Sequence, residues 1–185
     1  MGIYDSSKTR VTPVFDCLLK CDPTGCMWLP RFIDKARHHS SGTLPRDYQR
    51  AFCSSMGMDG VFFSHFKLAK EEILSAVQRE GSDEAIALWF SRRPDSSVER
   101  IREWNLLAPK VGMPDQPGHR AFAWGLKHIY VGCTDPRVIS GFTAIAWDEG
   151  FLDEACPERE SLSPDSAPRP VSPAEGTTPS ATTGH

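Results

Sequence analysis

A chain of 185 residues with 39% hydrophobic and 24% charged side chains is one domain, or one domain with a tail, and is long enough to bury a sizeable core. Its net charge of −3 leaves a near-neutral body, which argues against the basic surface that phosphate-driven nucleic-acid binding needs. No apolar run approaches the length of a bilayer span and residues 1–10 lack the apolar centre of a secretory signal, so the expectation is a cytoplasmic protein with no membrane partner and with its six cysteines as thiols.

Residues 1–12 are a polar lead-in, followed by Val14, Phe15, Leu18 and Leu19, a short apolar turn placed to cap the helix that comes next. Asp22-Pro23-Thr24-Gly25 breaks the chain before that helix. Leu29, Phe32, Ile33 and Ala36 then recur at i, i+3, i+4 and i+7, the spacing of one buried helix face, while Arg31, Asp34, Lys35 and His38 repeat it on the other. Pro30 is tolerated only in a first turn, where its missing N–H has no intrahelical partner, so the start is expected near Cys26 or Met27.

Ser40 to Pro45 is a loop by composition, and 47–56 reads as a short helix closed by Gly57. Phe62, Phe66, Ile73 and Val77 keep helical spacing on either side of a turn at Lys67-Leu68-Ala69, and Gly81 stops that segment. Ser82 begins the next helix, and Ser96-Ser97-Val98-Glu99 fits a capping box for a helix through Ile101, Trp104 and Leu107. Residues 109–118 hold three prolines and two glycines and form an irregular connection. A helix over 119–130 follows, and Asp135-Pro136 reads as the cap of a last one carrying Phe142 and Ile145. Strand-like alternation is rare, so residues 1–156 read as a compact all-α helical bundle of about seven or eight helices. Residues 157–185, with six prolines, many Ser and Thr and little apolar surface, read as a disordered tail.

The chemistry concentrates on the helix near 27–39. A carboxylate at Asp34 can reach Arg31 and His38 on one face, an Arg–Asp–His row in which a carboxylate orients an imidazole and a guanidinium forks onto an anion. The same stripe also fits a merely solvated face with structural ion pairs. Cys17, Cys21 and Cys26 form a cluster, but gaps of three and four residues match no standard metal motif, and neither a metal nor a cofactor is assigned. Cys53 is the thiol best placed for a nucleophile, beside an aromatic segment. Trp28, Tyr48, Phe62, Trp89, Trp104 and Trp124 fit either a core or an aromatic pocket, and Asn105 at a helix end fits a C-cap or a ligand contact. Asp148 and Glu149 stand at a helix end where the macrodipole disfavours negative charge and so need a partner such as Arg31 or Arg37. Glycine-rich phosphate loops, Gly-x-Ser-x-Gly elbows and His-Glu-x-x-His are absent.

Trp28-Leu-x-Arg31-x-x-Asp34-Lys35-Ala36-Arg37, then Gly42-Thr43, Tyr48 to Cys53, Glu71-Glu72-Ile73-Leu74-x-Ala76-Val77 and Glu103-Trp104-Asn105 resemble a family known only as the domain of unknown function number five-zero-six-nine. The resemblance runs over residues 14–106 with an echo at 148–150, and it implies a small, soluble, helical bacterial protein with no established activity. Pro30 and the extra cysteines at 17, 21 and 26 depart from the family pattern.

These readings combine into one expectation, a helical protein that holds a small anionic or aromatic metabolite on the polar face of the 27–39 helix. Arg31 and Lys35 bind the anion, Asp34 orients Arg31 and His38, and Trp28, Tyr48, Trp104 and Asn105 line the pocket. His38 and Asp34 are the candidate catalytic pair, because imidazole titrates nearest neutrality, and without a cofactor motif the chemistry open to them is that of an isomerase, cyclase or lyase. The rival reading is an interaction or scaffold module, in which the same charged face docks a partner or a second copy.

Overall fold

A computed structural model of the protein describes residues 24–156. The lead-in, the apolar residues at 14–19, Cys17, Cys21 and the Pro-rich stretch 157–185 lie outside the described residues. Among the described residues there are nine α-helices and no strand: α1 (Leu29–Ser40), α2 (Arg46–Gln49), α3 (Met58–His65), α4 (Lys70–Arg79), α5 (Asp83–Ser91), α6 (Val98–Leu107), α7 (His119–His128), α8 (Gly141–Asp148) and α9 (Leu152–Ala155). None is long and apolar enough to cross a membrane.

Helix α1 organises the domain, packing on α4 and α5, while α8 packs on the 3₁₀ turn after α6 and on α9. Phe32, Phe62, Phe66, Phe90 and Trp104 are fully buried at the centre. The ring of Phe62 meets Trp104 edge-on at 5.3 Å and stacks on Phe90 at 5.9 Å. Each such side chain contributes about 1.5–3 kcal/mol through removal of apolar surface from water, which makes this aromatic centre the main driving force for the helices around it.

Boundaries follow the caps. Ser82 Oγ accepts from Ala85 N–H at 3.2 Å and opens α5 as expected. At α6 the cap is Ser97, whose Oγ accepts from Arg100 N–H, and Ser96 is instead buried in a preceding 3₁₀ turn. The last expected helix starts later than Asp135-Pro136, because Asp135 Oδ1 accepts from the backbone N–H of Arg137 at 2.9 Å and closes a local turn. Ser140 and Thr143 then form a reciprocal box that starts α8 at Gly141. Helix α1 also starts later than expected: Trp28 takes a left-handed φ of 74°, so the first helical residue is Leu29 and Pro30 falls in the first turn. The expected helix over 47–56 shrinks to α2, because Cys53 too is left-handed, with φ 57°, and turns fill the remainder.

Candidate functional site

The N-cap residue Trp28 with Arg31 and Lys35 of α1 falls at i, i+3 and i+7, a stripe on the side of the helix away from the Leu29, Phe32, Ile33 and Ala36 face. The stripe is covered: Arg31 and Lys35 are only 2% and 4% exposed, and Trp28 2%. This corrects the expectation of a solvated polar face. The loop of residues 41–57 brings Tyr48 and Cys53 over the stripe, α3 brings Asp59, and the end of α8 brings Glu149.

Two carboxylates neutralise the two cations. The Arg31 guanidinium forks onto both oxygens of Glu149, with Nη1 to Oε2 at 3.1 Å, and Tyr48 Oη donates to Glu149 Oε1 at 2.8 Å. Asp59, itself 1% exposed, accepts Lys35 Nζ at 2.6 Å and Trp28 Nε1 at 2.9 Å on Oδ1, and the backbone N–H of Cys53 at 2.9 Å on Oδ2. The indole of Trp28 lies within cation–π reach of both, 4.8 Å from Lys35 Nζ and 5.5 Å from Arg31 Cζ. Gly60 lets the first turn of α3, which carries Asp59, lie against the preceding loop, since a Cβ there would collide with the backbone of Ser55.

Burial dominates the proton affinities here. It lowers the pKa of Lys35 against the pull of Asp59, with Arg31 adding to the lowering. It raises the Tyr48 hydroxyl, aided by Glu149, and pushes the Cys53 thiol up to about 11, aided by Asp59. Cys53 is therefore a protonated thiol at neutral pH, and its nucleophile role loses its physical basis. What Cys53 supplies instead is its backbone N–H. Of the four described non-glycine residues with positive φ, two, Trp28 and Cys53, donate to Asp59.

The structure brings together Trp28, Arg31, Lys35 and Tyr48 of the expected set and separates the others. Asp34 and His38 lie on the outer stripe of α1, His38 Nε2 being 3.7 Å from Asp34 and Nδ1 2.8 Å from Thr43 Oγ1. The expected Arg–Asp–His row is thus split, because the Arg31 guanidinium turns inward to Glu149. Trp104 and Asn105 belong to the aromatic centre and to the chain entering α1. Trp104 Nε1 donates to Met27 O at 2.7 Å, and Asn105 accepts from Met27 N–H at 3.0 Å and donates to Gly25 O at 2.7 Å. They set the approach of Trp28 rather than line a pocket with it.

Glu149 carried a sequence signal, an acid at a helix end in need of a cation, and Arg31 answers it. Asp59 carried none beyond its place in the first turn of a helix, and it is the acceptor sequence reasoning missed. Among the described residues no group of three or more His, Cys, Asp or Glu is arranged to hold a metal ion, and Cys26 is buried with its Sγ 3.6 Å from Met27 O. A groove of about 410 Å³, lined by His39, Gly42, Leu44 and Gln49, opens on the covering loop.

The family model for a domain of unknown function, DUF5069, matches residues 22–151, a span that takes in the whole cluster from Trp28 to Glu149, and the chain belongs to that family. No curated protein and no solved structure matches the chain.

Proposed function

We propose that this member of the DUF5069 family binds a small anionic or aromatic metabolite against Trp28, Arg31 and Lys35, reached through the loop of residues 41–57. The observation that carries the reading is the convergence on Asp59 of a buried lysine of lowered pKa and two residues, Trp28 and Cys53, with left-handed backbone. Such backbone costs about 1–3 kcal/mol per residue and tends to persist where a geometry is held for use, and perturbed titrating groups cluster at the same kind of place.

The chemistry follows from the groups. A planar acid would stack on the indole of Trp28 between the two cations and exchange for Glu149 on the Arg31 fork, leaving Glu149 the Tyr48 hydroxyl as a donor. Where turnover follows binding, Lys35 rather than His38 is the group that exchanges a proton, its ammonium holding the acid and burial easing release of the proton to give the neutral amine. Proton abstraction beside a carbonyl, common to isomerases, cyclases and lyases, is within reach of such an amine.

The test is a thermal-shift screen of the full chain against small carboxylates, phosphates and aromatic acids, since binding to the folded state alone raises the transition temperature. A hit that weakens in Tyr48→Phe, which keeps the ring, and disappears in the double variant Lys35→Met with Asp59→Asn, which removes both buried charges together, supports the reading. A hit unchanged in both variants, or no hit with the wild type, overturns it.

A further inference from the structure

The surroundings of Lys35 Nζ are those of an amine nucleophile. It is buried 4.8 Å from the centre of the Trp28 indole, with Arg31 one turn before it on α1 and the Asp59 carboxylate at 2.6 Å to take its proton. Burial and the neighbouring guanidinium both favour the neutral amine. His39, one turn further along the same stripe, lines the groove of about 410 Å³ that opens on the covering loop. The Phe52 ring lies 4.7 Å from His39 and 5.7 Å from Phe32, whose own ring is 5.8 Å from Lys35 Nζ. Phe52, on the covering loop, thus stands between an open groove and the buried amine.

We propose that Lys35 condenses with a small 2-oxo acid to form a Schiff base, the oxo carbon meeting Nζ while the carboxylate takes the Arg31 fork. This rests on the anion site proposed above and names its substrate class. A 2-oxo acid is planar across its conjugated carbonyl and carboxylate, and so fits flat on the indole that both cations face. Asp59 first takes the ammonium proton. The freed nitrogen pair then forms the C–N bond, and the carbonyl π pair moves to oxygen, which takes a proton from the nitrogen. Asp59 gives its proton to the resulting hydroxyl, which leaves as water while the nitrogen pair forms the C=N bond. The iminium keeps the single positive charge of the ammonium, so the ion pair with Asp59 survives the step.

Reductive trapping on the full chain at neutral pH reads the adduct directly. Cyanoborohydride delivers hydride to the iminium carbon, so pyruvate should become fixed as a mass gain of pyruvic acid less one oxygen atom. Peptide mapping should place that gain on Lys35 at least about tenfold above any other lysine, the ratio that one unit of lowered pKa gives in neutral amine. In concentrated urea, where every lysine is solvated alike, the preference should vanish. No label at Lys35, label spread evenly over the exposed lysines, or a preference that survives unfolding overturns the proposal. Lactate, with a hydroxyl in place of the oxo group, separates this step from the anion site beneath it. A thermal shift with both acids but no trapping sinks the Schiff base alone, whereas no shift with either and no trapping sinks both.

Discussion

Helix α1 carries two charged stripes of similar composition and opposite fate. On the inner one, Arg31 and Lys35 are almost fully buried and each holds a buried carboxylate, Glu149 and Asp59. On the outer one, Arg37 reaches Asp83 with side chains 40% and 53% exposed, and His38 approaches Asp34 at 20% and 30%. The difference teaches that helical spacing alone does not assign a charge to solvent. A cation becomes interior when another part of the chain both covers it and brings an acid, and its energetic meaning changes with that cover. Exposed pairs contribute about 0–1 kcal/mol, whereas removing one partner of a buried pair strands the other at a cost of about 3–5 kcal/mol.

Variants can break or sharpen this contrast. The largest effect is expected from Arg31→Ala, which leaves Glu149 buried with Tyr48 as a remaining donor and should lower the unfolding free energy by about 3–5 kcal/mol in a urea titration. The double variant Arg31→Met with Glu149→Leu should recover most of that loss, because it removes both charges together. A loss below about 1 kcal/mol for Arg31→Ala would erase the distinction between the stripes. The same burial makes Arg31→Ala a poor probe of ligand binding.

Asn105→Ala sharpens the contrast from the uncharged side. It frees Met27 N–H and Gly25 O beside the start of α1, and should cost about 1–3 kcal/mol by the same titration, between the buried and the exposed ion pairs.

Alkaline titration separates the covered groups from the outer stripe by another route. Burial holds the proton on Cys53 up to about 11 and on Tyr130 up to about 12, against 9.0 and 10.0 for the unperturbed groups. The stability they contribute is complete below pH 9 and is lost as pH rises through the folded-state values, since only the unfolded chain gives up these protons in that window. Lys35 acts in the opposite sense, its lowered pKa making the folded state gain as pH climbs toward 10.5. Cys53→Ser should therefore flatten the fall in urea midpoint between pH 9 and 11. An unchanged slope would mean that the thiol is not covered.

The smallest effect belongs to the outer stripe. Arg37→Ala should change stability by no more than about 1 kcal/mol, and that change should shrink in high salt. A salt-insensitive loss of several kcal/mol would make the outer stripe a second buried network.

Much of the helical order was legible because its causes are local. Ser82 caps α5 through an amide three residues on, and the turn at Lys67 separates α3 from α4 where Lys67 takes a positive φ. The demand of Glu149 for a cation was legible too, since a negative charge at a helix C-terminus is unfavourable wherever the helix lies. The start of α8 was misjudged for an equally local reason. Asp135 and Ser140 both offer caps, and the competition is decided by Arg137, which holds Asp135 with its backbone N–H and its guanidinium. Of the site, Trp28, Arg31, Lys35 and Tyr48 stood out as residue types suited to an acidic aromatic ligand, whereas Asp59 was an ordinary first-turn acid until the fold set it beneath Trp28 and Lys35.

The sequence by itself determined an all-helical domain of this family, because periodicity, caps and breakers act over three or four residues and need no distant partner. Only the tertiary structure decided which face of α1 is interior. That face is closed by a carboxylate 118 residues further along the chain and by a loop whose cover depends on the backbone of Cys53, and desolvation is a property of everything that surrounds a charge rather than of its neighbours in sequence.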